Sequence, residues 1–135
     1  MKKNAYYYLR SNSSVIKHSG SDSLDLLNRL TTNDLSNLNK LNPIRTLLTN
    51  NKGRIVDSLL ILMRNDNDLY LLSDSNDQSK IINEIEKYTI IEDSILSDIS
   101  KNISRLILYG KDIKSFLQKK LNLINDNYNI CDING

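Results

Sequence analysis

One carboxylate in this 135-residue chain stands where a carboxylate is costly. The stretch from Arg54 to Arg64 reads as a long strand, and its period of two puts Ile55, Asp57, Leu59, Ile61 and Met63 on one face. Val56, Ser58, Leu60 and Leu62 fall on the other. Both faces are mostly apolar, which predicts a central strand covered on both sides. Asp57 then lies among aliphatic neighbours, where it loses hydration and must find donors or give up its charge. Such a group can serve as a general base, or as an acceptor for a ligand amine. The other reading is structural: Asp57 sits near the strand end, satisfied by backbone N–H groups or by Arg45 or Arg54.

The remaining candidates carry less. His18 is the only histidine and stands at the end of a short strand, which predicts a solvated surface position. Cys131, the only cysteine, has no activating histidine or basic neighbour, and it excludes both a disulfide framework and a zinc site of several thiolates. No metal centre is expected, because no metal-ligand spacing occurs. Lys52 and Arg54 flank a turn, either solvated or placed for an anion. Tyr6, Tyr7 and Tyr8 read as a strand or docked arm. No P-loop, dinucleotide fingerprint or G-x-S-x-G motif is present.

Composition narrows the classes further. Lys plus Arg is 18 against 16 for Asp plus Glu, a net charge of +2 that makes no electrostatic case for nucleic acid or an anionic membrane. The strands also lack the paired aromatics that stack bases. The longest apolar run, Leu59-Leu60-Ile61-Leu62-Met63, is strand-sized, well below the roughly 20 residues of a membrane span. The basic start at Lys2 and Lys3 has no apolar stretch of signal-peptide length behind it. A cytoplasmic protein is therefore expected.

The elements that must position Asp57 follow from pattern. A strand is predicted over Ser14 to Lys17, broken by Gly20 and Ser21, then a helix from Asp22 with Leu24, Leu27 and Leu30 on one face and Leu26 beside them. Leu35 and Leu38 suggest a short turn. Past Pro43, Ile44 to Thr49 reads as a strand, Asn50-Asn51-Lys52-Gly53 as a hairpin turn, Asn65 to Asp68 as a second turn and Leu69 to Ser73 as a third strand. Three antiparallel strands in a meander result. Ser75-Asn76-Asp77-Gln78 matches a capping box, and the helix behind it carries Ile81, Ile82, Ile85 and Tyr88 on one face. A short strand falls within Ile90 to Ile99, another over Arg105 to Tyr109, and a helix from Asp112 turns Ile113, Phe116, Leu117 and Leu121 inward. Tyr128 to Cys131 reads as a last strand. Gly20-Ser21-Asp22 and Gly110-Lys111-Asp112 echo each other, each a strand, a glycine, then an aspartate placed to accept N–H bonds at a helix start. The whole is α+β, an antiparallel or mixed sheet with flanking helices, in one domain over 1–135.

Several of these pieces, in order, resemble one family. They are Leu9-Arg10; Val15-Ile16-Lys17-His18-Ser19-Gly20-Ser21-Asp22; Leu26-Leu27-Asn28-Arg29-Leu30-Thr31-Thr32-Asn33-Asp34-Leu35; the hairpin Asn51-Lys52-Gly53-Arg54-Ile55-Val56-Asp57; Glu86-Lys87-Tyr88; Ile95-Leu96-Ser97-Asp98-Ile99-Ser100; and Leu106-Ile107-Leu108-Tyr109-Gly110. The family is the folate-binding aminomethyltransferase superfamily, which holds the glycine-cleavage T-protein and the YgfZ-like iron–sulfur cluster assembly proteins. The resemblance implies ferredoxin-like elements and a tetrahydrofolate site. It also implies that Asp57, which matches the T-protein's hairpin aspartate, lies by the folate ring nitrogen as a cofactor-binding and catalytic group.

The departures from the family pattern shape the expectation. Ser58 stands where T-proteins often carry a second acid, and Leu9-Arg10 and Lys87-Tyr88 look more like the cluster-assembly branch. Asp74-Ser75 replaces the "N-A" of many members, and the branch's "K-G-C-x-x-G-Q-E" motif is absent. The domain is expected to be the incomplete N-terminal part of a family member. The leading expectation is a YgfZ-like tetrahydrofolate-binding protein that supports iron–sulfur cluster assembly or repair, with iron–sulfur proteins as clients and a C-terminal half or partner protein. The alternatives are an aminomethyltransferase, and a non-catalytic α+β ligand-sensing or interaction module.

Overall fold

The computed structural model describes residues 6–121. In chain order the elements are β1 (Tyr6–Arg10), β2 (Ser14–Ser19), α1 (Ser23–Leu30), β3 (Ile44–Thr49), β4 (Ile55–Asn65), β5 (Asp68–Ser73), α2 (Gln78–Glu86), β6 (Ile95–Asp98), β7 (Arg105–Tyr109) and α3 (Ile113–Leu121). The strand expected over 128–131, and Cys131 with it, lie outside the described residues.

Two tight turns set the meander. At the first, Gly53 takes φ +69 and its N–H bonds the Asn50 carbonyl at 2.9 Å, a conformation open to glycine without steric cost. At the second, the Asn65 side chain accepts from the Asn67 N–H at 3.0 Å. Strands β3, β4 and β5 therefore pair antiparallel, and β5 continues onto β2 and β2 onto β6, giving the order β3-β4-β5-β2-β6. Without β3 this is the β-α-β-β-α-β arrangement of a ferredoxin-like unit, built by β2, α1, β4, β5, α2 and β6, with β3 added at the edge. The fold is the α+β class expected, and among the described residues every strand pairing is antiparallel.

The core lies between one sheet face and helices α1 and α2. Register aligns Ile16, Leu71 and Ile61 in one row and His18, Leu69 and Met63 in the next. Leu26 and Leu27 of α1 and Ile81 and Ile85 of α2 close over these rows, together with Leu35 and Leu38 of the connecting turn. The expectation that β4 is covered on both faces is corrected here. Leu59, Ile61 and Met63 are buried, but Val56, Leu60 and Leu62 are only half-buried. Crossovers of one hand place both helices of a split β-α-β unit on the same side of the sheet.

Two further local expectations give way. The N-cap of α2 is Asp77, whose carboxylate accepts from the Lys80 N–H at 3.2 Å and the Ser79 hydroxyl at 2.8 Å. The Ser75–Gln78 capping box does not form: Gln78 donates to Asp98 at 2.9 Å and Ser75 turns to the sheet. The hydrogen bonds from the Ser79 hydroxyl and the Lys80 N–H hold the Asp77 carboxyl below the usual carboxylate range. Asp77→Ala is expected to lower the thermal midpoint by roughly 4 °C. An unchanged midpoint would show that the cap contributes nothing.

At α1, Asp22 stands at the N-cap but does not cap its own helix; its carboxylate accepts from the Asp93 N–H at 2.8 Å. The echo is nonetheless geometric. Gly20 and Gly110 take φ +122 and +133, and each carbonyl accepts the N–H three residues on, at 3.2 and 3.3 Å.

Outside the main sheet, β1 and β7 form a two-stranded ribbon leading into α3. Tyr6 stacks on Tyr109 with ring centroids 5.4 Å apart. Tyr7, Tyr8, Leu9 and Leu106 stay exposed. Phe116, expected inward, is 45% exposed, while Ile113 and Leu117 are half-buried.

Candidate functional site

Asp57 enters at the beginning of β4, on the helix-covered face, opposite buried Leu48 of β3. It is half-buried. Its Oδ1 accepts from the Ser58 N–H and from the Ser73 hydroxyl, each at 2.7 Å; its Oδ2 accepts from the Ser75 hydroxyl at 2.7 Å. The expected partners Arg45 and Arg54 make no ion pair with it. A carboxylate offers about four lone-pair sites. Three are filled by these donors, and the one left is on Oδ2.

The serines owe their place to the β4–β5 hairpin. Its register sets Leu59 against Ser73, so two residues further along Asp57 comes opposite Ser75. The alternation that buries Leu69 and Leu71 carries Ser73 onto the same face. Ser73 is 1% exposed, and its hydroxyl also contacts Ser75 at 3.1 Å and receives the Ser75 N–H at 3.0 Å. Sequence reading missed both serines as site residues. The hairpin arithmetic across the β4–β5 turn was the signal, masked by the match of Ser75 to a capping box.

Between the serines, Asp74 faces away, toward the ribbon. Arg10 of β1 reaches its Oδ2 at 3.2 Å and Arg105 of β7 its Oδ1 at 3.3 Å. Arg105 also donates to the Ser73 carbonyl at 2.7 Å. Arg10 and Arg105 are register partners across the ribbon. Two like charges facing each other repel, and Asp74 offsets that repulsion.

The other sequence candidates fall elsewhere. Lys52 and Arg54 are exposed at the hairpin tip. His18 is not on the surface: it is 0% exposed, its Nε2 lies 2.6 Å from the Ser94 hydroxyl, and its Nδ1 is buried without a partner among the described residues. The strand runs on to Ser19 and is flanked by β5 and β6, which is why its histidine is enclosed. Burial lowers its pKa to about 4. Among the described residues no three His, Cys, Asp or Glu side chains gather as a metal site, and no helix is long and apolar enough to cross a membrane.

The family model described as the GCVT N-terminal domain matches residues 8–130. The chain belongs to that family, the N-terminal domain of the aminomethyltransferase and folate-binding proteins. Among curated relatives, it is 27% identical over 119 residues to an aminomethyltransferase of Alkaliphilus metalliredigens, covering 88% of this chain and 32% of that one. It is 30% identical over 104 residues to an aminomethyltransferase of Bacillus cytotoxicus, covering 77% of this chain and 28% of that one. A solved structure, the glycine cleavage system aminomethyltransferase T from Bartonella henselae, superposes with a TM-score of 0.75 at 17% identity, over 87% of this chain and 32% of the other. That likeness shows the fold. The chain thus spans about a third of the length of the relatives it matches.

Proposed function

We propose that this domain is the N-terminal part of a tetrahydrofolate-dependent aminomethyltransferase, with Asp57 as the residue that meets the folate. The observation that carries the reading is the Asp57 cradle, in which Oδ1 is saturated by two donors and Oδ2 keeps a lone pair. Such a site fits a ring N–H of a reduced pterin. Tetrahydrofolate supplies ring amines able to take up a one-carbon unit. What Asp57 contributes is a fixed acceptor that orients the ring N–H and stabilises positive charge developing on that nitrogen. Ser73 and Ser75 hold the carboxylate in one orientation, so little reorganisation accompanies the change in charge. The names of the relatives support the transferase over other folate-linked roles.

Calorimetric titration with tetrahydrofolate tests this, on the domain alone and with the C-terminal two-thirds of a relative added. Removing a hydrogen bond to a charged group costs roughly 1.5–3 kcal/mol, so Asp57→Ala is expected to weaken binding by about 10–100-fold. Equal affinity in wild type and variant would remove Asp57 from the site. No binding in either setting would favour a non-catalytic module. Ammonia release from an aminomethylated carrier protein is the expected activity of the completed transferase.

A second reading has its own observation. Ser58, in place of a second acid, leaves Asp57 as the lone carboxylate of its strand. That suits a YgfZ-like folate-binding protein that supports iron–sulfur cluster assembly without transferring aminomethyl groups. Folate binding without ammonia release, together with restored iron–sulfur enzyme activity in deficient cells, would favour it.

A further inference from the structure

The segment Ser73-Asp74-Ser75 is read from two sides. Its two hydroxyls point at Asp57 and hold one carboxylate oxygen each, at 2.7 Å. Its one carboxylate and the Ser73 carbonyl point the other way, to the arginines of the β1–β7 ribbon. Alternation along an extended segment sends the Asp74 side chain to the face opposite the two serine side chains; the Ser73 carbonyl is a backbone group that Arg105 reaches as well. Arg105 makes the tighter attachment: its side chain is 16% exposed, and it spans both the Ser73 carbonyl and Asp74. Arg10 reaches Asp74 alone and is 31% exposed.

We infer that Arg105 is a positioning residue for Asp57, acting through Ser73 and Asp74 across the sheet. By fixing the peptide from which both hydroxyls hang, it sets the direction of the carboxylate without touching a ligand. The ribbon that carries it is held to the main sheet at this clasp, so the ribbon's seating and the site's geometry are coupled. The consequence for ligand binding rests on the folate reading above; the consequence for Asp57 itself does not.

The test has two arms. In the first, the Asp57 carboxyl carbon and the Ser58 amide proton are followed by NMR in the full chain without ligand. Arg105→Ala is expected to move both resonances, Arg105→Lys to restore them in part by keeping one donor for the Ser73 carbonyl, and Arg10→Ala to move them less. Asp74→Asn, which keeps size and shape, is expected to fall between and guards against a misfolded alanine variant. In the second arm, Arg105→Ala is expected to weaken tetrahydrofolate binding by about 5-fold, and to add nothing in an Asp57→Ala background. A lower melting temperature with both resonances unmoved would mean that Arg105 only anchors the ribbon, and would overturn the inference. Additive losses in the double variant would overturn it as well. Wild type that binds no folate would defeat the functional reading, while the resonances would still decide the role of Arg105.

Discussion

Gly20→Ala is expected to destabilise the domain by about 3–5 kcal/mol, lowering the thermal midpoint by roughly 12–20 °C. Two effects add at this position. Gly20 takes φ +122, outside the range L side chains adopt without strain. A Cβ there would also sit 2.0 Å from the carbonyl oxygen of Asp93, a backbone atom that cannot rotate away. That carbonyl is held by the Asp22 N–H at 3.1 Å, and the Asp93 carboxylate takes the Ser21 N–H and hydroxyl at 2.9 and 3.0 Å. The loop after α2 is therefore laced to the start of α1, and the contact closes only over a residue without a side chain. Gly53→Ala is the control: φ is +69, nothing lies within 4 Å of the added carbon, and the cost is expected to stay at about 1–2 kcal/mol. Equal midpoints for the two variants would show that the Gly20–Asp93 approach is not tight.

The second large effect is one of pH. Burial lowers the His18 pKa from 6.5 to about 4, so the folded protein keeps the ring neutral while the unfolded chain takes up a proton. Stability from this group is complete above the unfolded value near 6.5 and is lost as pH falls toward 4. A shift of that size corresponds to about 3 kcal/mol over the whole window, of which roughly 2 kcal/mol is gone by pH 5. The carboxylates act lower. Glu92, held at about 2 chiefly by the Arg29 guanidinium and then by the N–H groups of Ile90 and Ile91, loses its contribution only as pH falls from 4.5 toward that value. Between pH 6.5 and 5 the histidine therefore dominates. Urea unfolding across that range is expected to show a steady loss in wild type and a nearly flat profile in His18→Leu, which fills the same apolar row with no ring to protonate. Parallel profiles for the two proteins would mean that the ring is hydrated and titrates normally. The unpartnered Nδ1 makes the same point structurally: a proton there would find no acceptor in the core.

Asp57 and His18 show how far the residues alone carry the argument. For Asp57 the pattern of its own strand sufficed to mark a carboxylate among aliphatic groups, and the family resemblance added the ligand it would face. Of the structural partners expected, a backbone N–H is found, that of Ser58; the side-chain donors depended on the hairpin register, and two serines from β5 and its exit stand where Arg45 or Arg54 were expected. For His18 the local pattern misled, because a polar residue near a strand end looks solvated until β6 and Ser94 are laid against it. Phe116 errs in the opposite direction: helical spacing predicts an inward side, and among the described residues it is 45% exposed.

The order of strands and helices, the two hairpin turns, the family and the isolated carboxylate of β4 were settled by the chain itself, since period, turn chemistry and motif spacing act over a few residues. The side of the sheet that α1 and α2 cover, the enclosure of a histidine, the choice of Asp77 as the helix cap, the assembly of Ser73 and Ser75 around Asp57 and the clasp of Arg105 on Asp74 were decided only by tertiary structure. Each of those depends on segments many residues apart meeting at van der Waals distance, and no local preference encodes which partner arrives.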